Sequence, residues 1–334
     1  KLEGDAEAKP AAAATVSLQA APGEWPFRAL AELLSLELFS PTWESRHGAA
    51  LGLRELFRTQ GAGGGRRVGV SHASNAARHA VWAEDLAVRL LCVFALDRLG
   101  DFVFDQVVAP VRETASQTLA QLLPHMTGAL VRQTHAVLLE MIRQDTIKAP
   151  DAQQGARRAE YVWEVRHAGL LGLKYEVAVR HDLLRQRAPE ERDAALGSDM
   201  LTDVVDVAML GLRDADDDVR AVAAATLLPV TEELVEQHLD RIPPLLDQLW
   251  SCISDMKDDL SSSTGGVMDL LAKLFGYARV MEVMQTRTGE HALVALLALG
   301  VTGLCVFLHY EGVHWLARRY SRRTVSRSGD RRAI

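Results

Sequence analysis

Four acidic residues, Asp214, Asp216, Asp217 and Asp218, come closer than any other group in the sequence to a metal-binding pattern. A calcium loop supplies carboxylates at alternate positions, but it also needs a glycine at its turn and a terminal glutamate, and both are missing at the required spacing. Acidic residues at the start of a helix favour the positive end of its dipole. We therefore expect a structural role for the run, with contact to a protein partner as the alternative.

The glycine-rich segment 61–67 has the composition of a loop that could cradle a phosphate group. A P-loop needs Lys-Ser or Lys-Thr after the glycines and a strand before them, and neither is present. We interpret the segment as a flexible loop between helices.

Histidine is the next residue type that could do chemistry, and the sequence contains eleven. His47 and His167 occupy equivalent positions of an internal repeat, which favours a shared packing or capping role. His309 and His314 are five residues apart, a poor helical spacing for two ligands of one metal. No GxSxG, HExxH or Cys/His cluster occurs. The sequence thus predicts no catalytic residue, no metal site and no cofactor.

The elements that must position these residues carry an internal repeat. Residues 163–174 and 43–54 are identical at seven of twelve positions, and two weaker copies align with them on an arginine. In each copy the arginine is followed after three residues by Ala or Gly and after seven by Leu. The four sets are Arg46, Ala49 and Leu53; Arg112, Ala115 and Leu119; Arg166, Gly169 and Leu173; and Arg220, Ala223 and Leu227.

These offsets place the three residues on one side of an α-helix, where the small residue lets a neighbouring helix approach and the leucine fills the space beside it. The arginines are 54 to 66 residues apart, and each gap contains a polar or glycine-rich insertion. Without the insertions the period is near the ~40 to 47 residues of a HEAT or armadillo unit. The sequence therefore predicts an all-α, HEAT/armadillo-like solenoid of stacked helical hairpins, in which residues 102–123 and 265–284 each form one helix and residues 145–160 a loop.

Three regions follow from composition. Residues 1–22 are rich in alanine and lack apolar periodicity, so we expect a disordered lead-in. The repeat array is expected over 23–285. Residues 286–334 form a divergent tail in which the uncharged run 292–308 precedes an arginine-rich end; this run is either a transmembrane span or a buried terminal helix. Because the first residue is Lys, the sequence is expected to be part of a longer product.

The net charge of −7 is unevenly distributed, with −12 over the first 285 residues and +5 over the rest. An acidic body argues against direct binding of nucleic acid and for a basic protein partner. Cys92, Cys252 and Cys305 form no CxxC pair, which disfavours a disulfide framework or zinc site and suggests a reducing compartment.

Several blocks in the same order carry a family resemblance: Trp-Glu-x-Arg-His at 43–47 and 163–167, and segments 89–98, 100–103, 107–114 and 216–224. Together they resemble the TATA-box-binding-protein-associated Swi/Snf-type ATPases, the modifier of transcription family. The similarity covers roughly residues 25–284. The last 45 or so residues do not resemble the next repeats of that family, and the segment that serves as its latch is not identifiable.

The resemblance implies a HEAT array that grips TATA-box-binding protein, while an ATP-driven motor outside this sequence strips that protein from DNA. It further implies a nuclear protein that reaches DNA only through its partner, and we expect a monomer. Our candidates for partner contact are the repeat starts at Trp43 and Trp163 and the loop at Asp216, Asp217 and Asp218.

Two other functions remain open from the sequence. One is a general HEAT scaffold or carrier of the importin or phosphatase-subunit kind. The other is a membrane-tethered helical adaptor, anchored by 292–308 and therefore membrane-associated.

Overall fold

The computed structural model describes residues 20–97, 101–103, 106–108, 110–144, 146–150, 157–184, 200–254 and 263–287. The chain divides into two compact units, unit 1 (Lys1–Arg180) and unit 2 (His181–Ile334). Most of the predicted lead-in and the apolar run 292–308 lie outside the described residues, so the predicted domain boundaries stay predictions. Among the helices that are described, none is long and apolar enough to cross a membrane.

Unit 1 consists of three helical hairpins and two β-hairpins. Its helices are α1 (Arg28–Glu37), α2 (Trp43–Gln60), α3 (His72–Leu96), α4 (Pro110–Leu122), α5 (Gly128–Arg143) and α6 (Trp163–Val179). The antiparallel strands β1 (Asp101–Val103) and β2 (Gln106–Val108) lie between α3 and α4, with Asp101 opposite Val108. The strands β3 (Thr146–Pro150) and β4 (Arg157–Tyr161) lie between α5 and α6, with Thr146 opposite Tyr161.

The second helix of each hairpin packs against the second helix of the next, so α2, α4 and α6 form one layer. They run parallel, because contacts advance along both partners. Between α2 and α4, His47 lies beside Thr114 near the helix starts, and the Thr118 hydroxyl donates to the Ala50 carbonyl (2.8 Å) further along. Between α4 and α6, Arg112 lies over the Trp163 ring near the helix starts, and Gln117 bonds Tyr175 further along. The helices α1, α3 and α5 pack against this layer. Two layers of helices around one apolar core are the arrangement of a HEAT/armadillo-like stack.

Local sequence explains where the helices begin. Ser71 caps α3 by accepting a hydrogen bond from the Ser74 amide (3.3 Å), and Thr127 caps α5 by accepting from the Leu130 amide (3.2 Å). Such caps satisfy amides that have no partner within the helix. The core between the layers consists mainly of leucine, alanine and valine, fully buried at Leu53, Leu90, Leu119, Leu138 and Leu173.

The described residues of unit 2 form six α-helices: α7 (Met200–Gly211), α8 (Asp217–Leu227), α9 (Thr231–Gln237), α10 (Ile242–Ser254), α11 (Ser263–Phe275) and α12 (Ala278–Arg287). The main contacts join α7 to α8 and α8 to α11. Successive turns of α8 and α11 supply the core through Val219, Ala223, Leu227, Leu270 and Leu274, all fully buried. The prediction of an all-α class built from stacked helical hairpins is confirmed.

The predicted element bounds were wrong in three places. The expected helix over 102–123 begins only at Pro110, because β1 and β2 precede it. The expected loop over 145–160 contains β3 and β4, although no convincing strand was predicted. The expected helix over 265–284 is two helices, and the break falls at Gly276 and Tyr277. β1 and β2 have three residues each, fewer than the four or more over which alternation indicates a strand.

Candidate protein-binding edge

The repeat arginines bind carbonyl groups at the end of the preceding helix or in the linker that follows it. Where that linker is short, the bonds span the same distance in sequence. Arg46 donates to the carbonyls of Ser40 and Pro41, both at 3.1 Å. Arg220 donates to those of Asp214 (2.7 Å) and Ala215 (3.0 Å). In both cases the acceptors lie six and five residues before the arginine.

Where a β-hairpin lengthens the linker, the arginine still reaches the end of the preceding helix. Arg112 donates to the carbonyl of Asp97, the residue after α3 (2.9 Å), and Arg166 donates to the carbonyl of Ile142 in the last turn of α5 (2.8 Å). Asp97 contacts two repeat arginines: its carbonyl accepts from Arg112, and its carboxylate forms an ion pair with Arg46 (2.6 Å).

The end of an α-helix exposes carbonyls that have no partner in the helix and carries a partial negative charge. The guanidinium groups of Arg112 and Arg166 donate hydrogen bonds to such carbonyls, and their positive charge lies near the negative end of the helix dipole. We expected only packing from the repeat arginines, so this bonding role was missed. The small and leucine positions of all four copies are buried: Ala49, Ala115, Gly169, Ala223, Leu53, Leu119, Leu173 and Leu227.

Because α2, α4 and α6 run parallel, their first turns lie along one edge of unit 1. We call this the acidic edge and define it by Trp43, Glu44, Glu113, Trp163 and Glu164. Each of the three helices has one glutamate in its first turn. Glutamate there favours the positive end of the helix dipole. Glu44 is exposed and presents a negative charge that suits a basic partner, whereas Glu113 is also paired with Lys174 (4.0 Å).

The two candidate tryptophans are half-buried at this edge. Trp43 lies 6.2 Å from the His47 ring and Trp163 lies 6.0 Å from the His167 ring, between centroids. The Arg112 guanidinium lies 5.3 Å from the centroid of the Trp163 ring. Each indole is thus held in place by its own chain and keeps an accessible part.

The acidic run of unit 2 forms the linker and cap of α8. The Asp216 carboxylate accepts from the amides of Asp218 (3.0 Å) and Val219 (3.2 Å), and the Asp214 carboxylate accepts from the Asp216 amide (2.9 Å). Burial raises the pKa of Asp216, while the two amide bonds oppose that shift. Asp217 forms an ion pair with Arg220. Only Asp218 is exposed among the three partner candidates of this run.

A polar cluster across α4 and α6 was not found from sequence. The Tyr175 hydroxyl donates to the Glu113 carboxylate, and the Gln117 amide donates to Glu113 (3.1 Å) and to the Tyr175 oxygen (3.2 Å). Burial raises the pKa of Tyr175, and the bond to Glu113 adds to the shift. Arg54 of α2 donates to Gln117, so the cluster joins all three parallel helices. Its members lie far apart in sequence and outside the repeat positions, so no sequence pattern indicated that they would meet.

The glycine-rich segment is closely packed rather than the flexible loop that we expected. A Cβ on Gly64 would lie 2.5 Å from the Trp82 ring, and one on Gly63 would lie 2.7 Å from the Trp25 ring. Gly65 has a φ of +68°, which other residues rarely adopt. The glycines let the backbone approach two indoles. In the part of the chain that the structure describes, no cluster of three or more His, Cys, Asp or Glu could hold a metal ion.

Comparison with known proteins gives clear relatives, although no family model matches the chain. It is 40% identical over 306 residues to the TATA-binding protein-associated factor mot1 of Aspergillus fumigatus, covering 86% of this chain and 15% of that protein. It is 43% identical over 259 residues to human TATA-binding protein-associated factor 172, covering 78% of this chain and 12% of that protein. A crystal structure of the Mot1 N-terminal domain in complex with TBP matches with a TM-score of 0.44 and 19% identity, over 80% of this chain and 28% of that chain. The chain therefore spans 15% or less of these two curated relatives.

Proposed function

The chain belongs to the family of TATA-binding protein-associated factors, and from that premise we propose that it is a HEAT-like module that binds TATA-box-binding protein. The observation that carries this proposal is identity of 40% or more over most of the chain to relatives with that name. The similarity extends over both units, so the module as a whole, rather than one motif, carries the function.

The acidic edge is the surface that we propose for this contact. Glu44, Glu113 and Glu164 lie at three adjacent helix starts with two half-buried tryptophans between them. An indole supplies a large and rigid apolar contact, and tryptophan is enriched among residues that dominate binding energy. The carboxylates would speed the encounter with a basic partner surface. Asp218 of unit 2 is a further contact that we propose.

We assign ATP-driven removal of the partner from DNA to a part of the relatives that this chain does not span. The chain itself contains no nucleotide-binding motif, so its own role is to hold the partner. It would reach DNA only through that partner and act in the nucleus, where promoter DNA is found.

The test is binding of the purified full chain to immobilised TATA-box-binding protein at several salt concentrations. We expect binding without ATP that weakens as salt rises, because screening reduces the attraction between exposed charges. Absence of binding at low salt would overturn the proposed function.

Two charge reversals locate the surface. Glu44 and Asp218 are exposed at helix starts, and Glu84 is an exposed acid in the middle of α3. We expect Glu44→Lys and Asp218→Lys to weaken binding about fivefold or more, while Glu84→Lys, with the same change in net charge, has little effect. Because a lysine at a helix start opposes the dipole, thermal unfolding is measured for each variant. Equal affinity of all three folded variants would exclude the proposed surface.

A further inference from the structure

A cleft lies between α1 and α3, and the glycine-rich segment bounds it at Gly65 and Arg66. Its volume is about 430 Å³, within the usual range for ligand sites. The buried Trp25 and the half-buried Trp82 line it, with ring centroids 5.5 Å apart in an edge-to-face arrangement. Leu36, a largely exposed residue of α1, lies at its rim. The cleft is separate from the acidic edge, since none of the residues that define that edge lines it.

The carboxylates that line the cleft are all paired with arginines of their own surroundings. Arg28 forms ion pairs with Glu24 (2.6 Å) and Glu32 (2.8 Å), and Arg89 forms one with Asp85 (2.8 Å). The three acids share two arginines, so one negative charge remains among these pairs. With all four arginines that line the cleft counted, its lining carries a net charge of +1.

Two further arginines line the cleft without a carboxylate partner among the described residues. Arg78 donates to the Gly65 carbonyl (3.2 Å). Arg66 is partly buried, and its Nε is shielded from solvent with no hydrogen-bond acceptor. The exposed Arg78 and the accessible part of Arg66 can each pair with a ligand carboxylate. The cleft thus combines two indoles with two guanidinium groups that lack an acid.

We propose that this cleft binds a short acidic peptide segment of a second protein partner. One apolar side chain of the segment packs against Trp25 and Trp82 beside Leu36, and a flanking carboxylate pairs with Arg66 and Arg78. The residues of α3 that line the cleft run from Arg78 to Arg89. At 1.5 Å per residue this is about 16 Å, the length of about five extended residues.

The charge of the cleft distinguishes its ligand from the basic partner proposed for the acidic edge. The first 285 residues carry a net charge of −12, which would repel an acidic protein at long range. At physiological ionic strength that repulsion is screened beyond about 8 Å, whereas a carboxylate bound to a partly buried guanidinium is screened much less. Contacts within the cleft therefore decide the binding.

The experiment measures fluorescence anisotropy of a labelled, end-blocked peptide in which aspartates flank one phenylalanine, titrated with the full chain. Arg66→Gln and Arg78→Gln remove the guanidinium groups, and Arg67→Gln is the matched control, because Arg67 is exposed and does not line the cleft. We expect R66Q to weaken binding about tenfold or more, R78Q less, and R67Q hardly at all. A peptide with asparagine in place of aspartate should bind more weakly.

Thermal unfolding of each variant establishes that it is folded. A second variant, Leu36→Glu, places a negative charge at the rim without disturbing the core, and it should also weaken binding. Equal binding of the aspartate and asparagine peptides, or equal affinity of R66Q and R67Q, would overturn the proposal. So would self-association of the chain that R66Q abolishes without any binding of the acidic peptide, since the occupant would then be a second copy.

Discussion

The linkers before α2 and α8 differ from those before α4 and α6. The first two are short, and their arginines, Arg46 and Arg220, bond carbonyls six and five residues earlier from partly exposed positions. The other two contain a β-hairpin, and their arginines, Arg112 and Arg166, are only 1% and 7% exposed. The first two arginines bond carbonyls of the linker, and the other two bond carbonyls at the end of the preceding helix. The constant feature of the repeat is therefore an arginine that bonds carbonyls of the chain leading to its own helix, whatever the length of the linker.

The largest effect is expected at a long linker. Arg112→Ala would leave the Asp97 carbonyl without this donor and open a cavity in the core, so we expect the free energy of unfolding to fall by about 3 kcal/mol or more. Arg220→Ala, at a short linker, should cost about 1 kcal/mol, because its partner Asp217 stays partly exposed to solvent. Urea unfolding of both variants measures the difference. A loss at Arg220 as large as that at Arg112 would break the distinction between the two kinds of linker.

The next effect concerns the small residue that follows the arginine. A Cβ on Gly169 would lie 2.9 Å from Cγ1 of Ile142 and 3.3 Å from the Leu138 carbonyl, whereas the same position in α2 is Ala49. The neighbouring helix thus leaves less room at α6. We expect Gly169→Leu to lower the free energy of unfolding by about 1 to 3 kcal/mol through overpacking. Unchanged thermal stability would show that α5 and α6 can separate without cost.

A smaller effect is expected at a short linker. Asp216→Ala removes the side chain that accepts two amides at the start of α8, and loss of such a cap costs about 1 kcal/mol. Asp218→Ala is the control at a neighbouring exposed position. Both are measured by thermal unfolding, and equal stability of the two variants would argue against capping by Asp216.

The smallest expected effect is a gain in stability. Gly48, next to Ala49 in α2, is exposed, and a Cβ there would meet no atom within 4 Å. Gly48→Ala should therefore raise the free energy of unfolding by about 0.5 to 1 kcal/mol, because alanine loses less conformational freedom in a helix. Together with Gly169→Leu, the variant separates helix propensity from packing. A loss of stability in Gly48→Ala would mean that this face of α2 is covered.

Much of the fold could be predicted from sequence, because the offsets of Ala49 and Leu53 from Arg46 recur in every copy and identify the buried face. The bond from Arg166 to Ile142 could not, since its 24-residue separation depends on β3 and β4. The packing of Gly64 against Trp82 could not be predicted either, because a glycine-rich composition is typical both of a mobile loop and of a segment that packs closely against an indole. The acidic edge needed the parallel order of three helices, which places Glu44 and Glu164 on one side.

The hydrogen bonds from arginine to helix end also make the chain tolerant of insertion. Arg166 fixes the start of α6 against the end of α5, so the hairpin between Pro150 and Arg157 can change in length without moving either helix. Closing a loop of twice the length costs only about 0.6 kcal/mol. The connection between these two residues is thus a suitable place for an epitope tag or a fluorescent reporter, and one at which relatives could acquire new segments over evolution while the helical array stays the same.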